Sequence, residues 1–114
     1  MYGIEFIETM VFTKQIKQLA TDEELFTLQN ELIAYPDKGD LIVGTAGLRK
    51  IRMSVGNKGK RSSARVIYYL VLPNTIYLLL AYTKQVRSSL TADEKKQLKQ
   101  LAVSLKKGYN NEPI

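Results

Sequence analysis

The spacing of apolar residues changes along the chain, and each spacing predicts a different element. Residues 4–8 alternate weakly between apolar and polar positions, which favours a short first strand. Phe12, Ile16 and Leu19 then recur at i, i+4 and i+7, the spacing of one helix face, with Thr9 as the candidate N-cap. The chain is therefore predicted to open with a strand followed by an amphipathic helix.

A second helix is predicted to begin at Thr21, because Thr21 and Glu24 have the spacing of a capping box. Pro36 and Gly39 lie beyond its end. Its apolar face carries Leu25, Leu28 and Leu32. Because the two helices are close in sequence, we expect them to pack as a helical hairpin.

Strands dominate the middle of the chain. Residues 48–55, 64–72 and 75–83 are each predicted to form a strand, and 64–72 is rich in β-branched and aromatic side chains. A glycine- and lysine-rich loop over 56–63 and a tight turn at Pro73-Asn74 connect them. Three consecutive strands with short connections predict an antiparallel meander.

The C-terminal segment predicts one more helix. Thr91 and Glu94 form another capping box, and Gly108 marks the helix end. Its apolar stripe consists of Leu98, Leu101, Ala102 and Leu105. The resulting order, β-α-α-β-β-β-α, predicts an α+β fold in which an N-terminal strand, a helical hairpin and a C-terminal helix pack on a sheet of three to four antiparallel strands.

Composition limits the class of protein. The chain has 114 residues, of which 45% are hydrophobic and 25% charged, so one domain over 1–114 is expected. It contains neither cysteine nor histidine, which excludes disulfides, a Ser-His-Asp triad and most zinc sites, and we predict no metal and no cofactor. The longest apolar run, 66–72, is too short for a membrane span, and residues 1–15 lack a signal-peptide pattern. We therefore expect a cytoplasmic protein that does not enter membranes.

Positive charge is concentrated in the middle of the chain. The net charge is +6, yet no acidic residue lies between Leu41 and Ala92, a stretch with nine basic residues. The remainder has eight basic and eleven acidic residues, a net charge of −3. A segment with so many basic and no acidic residues predicts an anionic partner, and a phosphate backbone is the simplest such partner. A solvated basic face and an acidic protein partner remain alternatives.

Strand geometry places some of these cations on one surface. Side chains alternate across a strand, so Lys50 and Arg52 share one face, about 6.8 Å apart, while Ile51 and Met53 face the helices. Arg49 falls on the helix side and fits a surface role poorly.

The meander extends this surface to the next two strands. It brings Arg65 opposite the start of the basic strand and Lys84 to the end of the third strand, while Tyr82 offers a ring for base stacking. We predict that Lys50, Arg52, Arg65 and Lys84 converge on one concave surface. Additional phosphate contacts are assigned to Arg49, Lys58, Lys60, Arg61 and Arg87.

The chain resembles the RelE/HigB family of type II toxins, and most closely the HigB-like members. The resemblance rests on four segments taken together, since no single motif is specific. They are TDEELFTLQNEL (21–32), GTAGLRKIRMS (44–54), SSARVIYYLV (62–71) and LLLAYTKQVRSSLTADEKKQL (78–98). The family's fold agrees with the predicted element order.

The resemblance implies a toxin of a toxin–antitoxin system, a ribosome-dependent mRNA endonuclease that needs no metal. Such a toxin enters the ribosomal A site and cuts mRNA there, which halts translation. The implied partners are the ribosome with its mRNA and a cognate antitoxin, HigA-like with a helix-turn-helix or a wrapping segment. The alternatives are a ParE-like gyrase poison and a non-catalytic module that binds RNA or antitoxin.

The chemistry suits a site without histidine, because the RNA 2′-hydroxyl is an internal nucleophile. The protein has to align it, stabilise the phosphorane and move two protons. By the resemblance, Lys50 and Arg52 match the family's two-cation strand positions, with Arg52 in place of its second lysine, and Arg65 matches its central arginine. We assign Lys50 and Arg52 to the phosphate and Arg65 to the transition state. Lys50 and Lys84 are the proton-transfer candidates, because neighbouring positive charge disfavours the protonated form of a lysine. The second cation of the family's late pair is replaced by Gln85, and its late tyrosine has no match, which leaves the general acid unidentified.

Overall fold

The computed structural model describes residues 3–56, 62–84, 86–87 and 89–110, with side chains up to residue 107. The chain forms an α+β fold with three helices and a five-stranded mixed sheet. In chain order the elements are β1 (Glu5–Glu8), α1 (Met10–Leu19), α2 (Asp22–Ala34), β2 (Asp40–Leu41), β3 (Leu48–Val55), β4 (Ser62–Val71), β5 (Thr75–Thr83) and α3 (Ala92–Asn110).

The strands are arranged in the order β1-β5-β4-β3-β2. The predicted meander is confirmed, because β3, β4 and β5 pair antiparallel in sequence order. The sheet has five strands rather than the predicted three to four. β1 adds to β5 in parallel, and the two-residue strand β2 covers only the beginning of β3. The outer edge of β3 is consequently open beyond Lys50 among the described strands.

The helix N-termini form as the capping patterns predict. Thr9 Oγ1 accepts from the Phe12 N–H and caps α1. The capping box of α2 is complete, since Thr21 and Glu24 exchange side-chain-to-backbone hydrogen bonds. These local interactions explain why the starts of both helices can be predicted from sequence alone.

One sheet face is covered by α1 and α2, which contribute side chains to the same apolar cluster. α1 lies on β5 and α2 on β3. Phe12, Ile16, Leu28 and Leu32 meet the buried strand residues Ile51, Met53, Val66 and Ile76 there. This confirms that the Ile51/Met53 face of β3 points to the helical hairpin. Each helix of the pair finds most of its contacts on the sheet rather than on the other helix.

The opposite sheet face is covered in part by α3. Leu98 and Ala102 of α3 pack on a second apolar cluster that contains Leu48, Ile67 and Tyr69. The helices therefore lie on both faces of the sheet, whereas the sequence-based prediction placed them on one. By strand alternation, Lys50 and Arg52 of β3 and Arg65 of β4 lie on this same face as Leu48 and Ile67.

A β-bulge in β5 decides which side chains reach that face. Tyr68 pairs with Leu78 and Ile67 with Leu80, so Leu79 has no partner on β4. The side chains of Leu79 and Leu80 both join the α3-side cluster. The extra residue shifts the alternation of the rest of β5 by one position.

Candidate nucleic-acid interface

Three side chains form a row across the middle of the sheet. Arg52 of β3 pairs with Arg65 of β4, and Arg65 in turn pairs with Tyr82 of β5. Directly opposite residues project to the same side of a sheet with Cβ atoms about 5 Å apart. The row therefore places two guanidinium groups and one phenol side by side on the face that α3 covers in part.

A cleft of about 330 Å³ opens at the end of this row. Its lining combines three of the four predicted catalytic cations with three hydroxyl side chains: Arg52, Ser62, Ser63, Arg65, Thr83 and Lys84. No carboxylate lines it among the described residues. A cavity with this lining has hydrogen-bond donors and positive charge for one phosphate group.

Arg65 is the centre of the cleft. Its Nη1 atom is buried and has no hydrogen-bond partner within the described part of the chain. Neither ion pair found among those residues includes Arg65, Arg52 or Lys84. A buried guanidinium nitrogen without an acceptor lowers the stability of the folded protein. Arg65 is therefore a candidate for binding an acceptor that the folded chain does not itself supply.

Tyr82 forms a wall beside Arg65. Only 5% of its surface is exposed. The Arg87 guanidinium carbon lies over the ring, 5.3 Å from its centre. Burial raises the pKa of the Tyr82 hydroxyl, against the opposing effect of Arg65 and Arg87, so the group is protonated at neutral pH. The predicted stacking of a base on this ring stays a prediction, but in the described conformation Arg87 already lies over the ring.

Arg87 is engaged within the protein. Its Nη1 pairs with Glu94 Oε2 at the start of α3. Glu94 also completes the predicted capping box, accepting through Oε1 from the Thr91 N–H, while its own N–H donates to Thr91 Oγ1. The predicted contact of Arg87 with phosphate stays a prediction, and in the described structure its guanidinium is already paired with Glu94.

Arg49 points away from the cleft, to the side of the helical hairpin. Its Nη1 donates to the Asp37 and Gly39 carbonyl oxygens, at 3.0 and 2.7 Å. Its cross-strand partner Tyr68 binds the same loop, donating to Pro36 O and accepting from Gly39 N. In the described conformation Arg49 stabilises the loop after α2, which is a structural role, and its predicted phosphate contact stays a prediction. Its half-buried position explains why it fitted the basic surface poorly.

Lys50 lies on the cleft face but does not line the cleft. It is two residues from Arg52 along β3, on the side toward β2. Its cross-strand partner there is Asp40, which places an acidic residue beside it. The convergence predicted for four cations therefore holds for three, with Lys50 one step away along the same strand.

Two sets of residues complete the comparison with the sequence-based prediction. Lys58, Lys60 and Arg61, assigned to phosphate contact, lie outside the described residues. Ser62, Ser63 and Thr83 line the cleft but were not predicted. Ser63 was missed because the strand was predicted to begin at residue 64; alternation from a start at Ser62 places it beside Arg65.

Three further findings bear on the class of protein. No protein-family model matches the chain. Among the helices in the described ranges, none combines the length and apolar character that a membrane crossing requires. The same ranges contain no group of three or more acidic side chains arranged to hold a metal ion.

Proposed function

We propose that this protein is a ribosome-dependent mRNA endonuclease, a toxin of the RelE/HigB type. One observation carries the proposal: Arg52, Arg65 and Lys84 line a single cleft to which the described residues contribute no carboxylate, and Arg65 Nη1 has no acceptor among them. The element order and the segments that resemble the family support the same assignment. A phosphodiester supplies the anion that this cleft lacks.

The two arginines hold the scissile phosphate. Guanidinium groups stay ionised and bind two phosphate oxygens at once, so the opposed pair Arg52 and Arg65 clamps the group from two strands. As the RNA 2′-oxygen attacks phosphorus, negative charge grows on the non-bridging oxygens of the phosphorane. Arg65 is the better placed to stabilise this charge, because its half-buried guanidinium is shielded from water more than that of exposed Arg52.

Lys84 is the proton-transfer residue of the proposed reaction. Among the residues that the structure describes, it is the lysine that lines the cleft, directly after Thr83, where β5 ends. In the step, the 2′-hydroxyl gives its proton to solvent water and its oxygen forms a bond to phosphorus, while the bond from phosphorus to the 5′-oxygen breaks and that oxygen gains a proton. Lys84 serves the leaving 5′-oxygen as acid, and the products are a 2′,3′-cyclic phosphate and a free 5′-hydroxyl.

Lys50 is assigned to the neighbouring phosphate. Its position two residues from Arg52 corresponds to about 6.8 Å along a strand, close to the phosphate spacing of an extended single strand. This differs from its predicted role in proton transfer, because Lys50 does not line the cleft and has Asp40 as its partner. Extended RNA across the sheet then contacts Lys84, the arginine pair and Lys50 in turn.

The proposed setting follows from this substrate. The protein acts in the cytoplasm on mRNA in the ribosomal A site. A cognate antitoxin, HigA-like in type, keeps it inactive. A helix-turn-helix protein encoded in the neighbouring reading frame is the expected source of that partner.

Mapping of mRNA ends tests the proposal. Wild-type protein added to a purified translation system is expected to produce new mRNA 5′ ends within translated codons, detected by primer extension. Arg65→Met is expected to produce none while keeping its circular dichroism spectrum. Lys99→Met, which removes the same charge from an exposed position on α3, is expected to cut like the wild type.

Three results would refute the assignment. Intact mRNA during growth arrest would exclude a nuclease, and DNA damage in the same cells would instead select a ParE-like gyrase poison. Tight RNA or antitoxin binding without cleavage would select a non-catalytic module. Cleavage by Arg65→Met at the wild-type rate would show that the cleft is not the active site.

A further inference from the structure

Glu94 joins the start of α3 to Arg87, in the connection between β5 and α3. One carboxylate oxygen accepts from the Thr91 N–H at 2.9 Å, and the other pairs with Arg87 Nη1. The pairing with Arg87 is the main reason why the pKa of Glu94 is lowered. Glu94 therefore has a second contact beyond its helix cap, made to a residue outside α3.

Arg87 passes this contact on to the sheet. Its guanidinium carbon lies 5.3 Å from the centre of the Tyr82 ring, within cation–π range. The phenol is 5% exposed and packed among apolar side chains on the α3 side. Glu94 thus pairs with Arg87, and the Arg87 guanidinium lies over the Tyr82 ring.

Tyr82 is also the cross-strand neighbour of Arg65. The phenol stands between two guanidinium groups, one neutralised by Glu94 and one without an acceptor in the described chain. A firmly packed ring at this position limits the directions in which the Arg65 side chain can swing. The contacts therefore form one continuous series from the α3 cap to the cleft.

We propose that Glu94 and Arg87 are positioning residues that hold Tyr82 as the wall that directs Arg65 into the cleft. The inference rests on the proposed function for its consequence in catalysis, but the positioning itself concerns anion binding in the cleft. It assigns Glu94 a role that its capping box does not explain. It also replaces an RNA contact for Arg87 with an internal one.

The variant Glu94→Gln tests this inference, because the competing roles of Glu94 predict opposite changes in the affinity for anions. Glutamine at this capping-box position still accepts from the Thr91 N–H but loses the charge that fixes Arg87. If Glu94 only opposed the field of the cleft, or if Arg87 were an RNA contact restrained by Glu94, Glu94→Gln would bind anions more tightly. If Glu94 positions Arg65, the same variant binds them more weakly.

Two readouts measure the effect. The first is the affinity of purified protein for inorganic phosphate, followed by thermal shift and by the ¹⁹F signal of 3-fluorotyrosine at position 82. The second is the rate of mRNA cleavage in the translation system, separated into kcat and KM for the ribosome–mRNA complex. Glu31→Gln is the matched control, because Glu31 forms the other ion pair of the described chain, with Lys38, and does not line the cleft.

Positioning predicts a loss of about tenfold in phosphate affinity for Glu94→Gln, with a shifted ¹⁹F signal. It also predicts a kcat about tenfold lower with KM unchanged, since contacts elsewhere set binding to the ribosome. Arg87→Lys keeps the charge but not the planar stacking group, and Arg87→Met keeps neither, so the loss grows in that order. The double variant Arg87→Met with Glu94→Gln should be no worse than Arg87→Met alone.

Unchanged or tighter phosphate binding by Glu94→Gln would overturn the inference, as would equal losses in Glu31→Gln. The inference would also be overturned if the phosphate affinity of Glu94→Gln fell only in proportion to its thermal midpoint while the ¹⁹F signal stayed unchanged. If wild-type protein cleaves no mRNA, the proposed function fails, and the phosphate and ¹⁹F measurements still decide the positioning role. If cleavage occurs but Glu94→Gln matches wild type in every readout, the positioning role fails alone.

Discussion

Arg52 and Arg65 stand directly opposite each other on adjacent antiparallel strands, with their side chains on the same face of the sheet. Like charges at paired positions oppose folding, and no carboxylate lines the cleft between them among the described residues. The pair therefore costs stability in the free protein. An anion that binds between the two guanidinium groups removes that cost, which ties the stability of the chain to occupancy of the cleft.

The first prediction concerns this cost. Arg52→Met keeps the length of the side chain but removes the repulsion, so the free energy of unfolding is expected to rise by about 0.5 kcal/mol in low salt. Urea denaturation measures the change. Cleavage of mRNA should fall in the same variant. A lower denaturation midpoint for Arg52→Met would show that repulsion between Arg52 and Arg65 does not destabilise the protein.

The second prediction separates charge from proton transfer at Lys84. The variant Lys84→Arg retains a positive charge there, but the guanidinium group holds its proton at any working pH. We expect phosphate affinity close to wild type and a single-turnover cleavage rate about 100-fold lower. A wild-type cleavage rate in Lys84→Arg would assign Lys84 to charge stabilisation alone.

The third prediction is a pH dependence from Glu94. Its pKa in the folded protein is lowered, mainly by Arg87, relative to an unfolded value of about 4.3. The contribution of Glu94 to stability is therefore present above that unfolded value and is lost as pH falls through the lower, folded value. Glu94→Gln should lack this component. Parallel curves of thermal midpoint against pH for the two proteins would contradict the expectation.

The fourth prediction tests the loop that follows α2. Tyr68→Phe removes the hydroxyl that donates to Pro36 O and accepts from Gly39 N, and it leaves both backbone groups without that partner. The expected loss is about 1–3 kcal/mol of unfolding free energy, measured by denaturation. Gly39→Ala should also destabilise, since a Cβ there would lie 2.7 Å from Tyr68 Cε1. Neither variant should change phosphate affinity once folded.

The fifth prediction distinguishes the adjacent residues Arg49 and Lys50. Arg49→Met removes hydrogen bonds to two carbonyl groups and should lower the unfolding free energy by about 1 kcal/mol, with phosphate affinity unchanged. Lys50→Met should leave stability nearly unchanged and weaken the binding of a trinucleotide more than that of inorganic phosphate. Equal behaviour of the two variants would contradict their assignment to opposite faces.

Local patterns were enough to predict most of the elements. β5 coincides with its predicted apolar and aromatic run at 75–83, and β3 has its predicted bounds, 48–55, although three of its eight residues are basic. The caps at Thr9, Thr21 and Thr91 depend on residues no more than three positions away, so spacing alone identifies them. β4 begins two residues before its apolar run, because Ser62 and Ser63 pair with Val55 and Ser54 across the sheet.

The sequence by itself determined which cations share a strand face, because alternation is a property of a single strand. Only the tertiary structure decided what surrounds them. Tyr77 and Tyr82 are five residues apart, which on a regular strand would put them on opposite faces. Both pack on the α3 side because the bulge at Leu79 shifts the alternation. That shift brings Tyr82 and Lys84 to Arg65. It depends on how two strands pair and how α3 packs over them, and these are contacts between residues far apart in the chain.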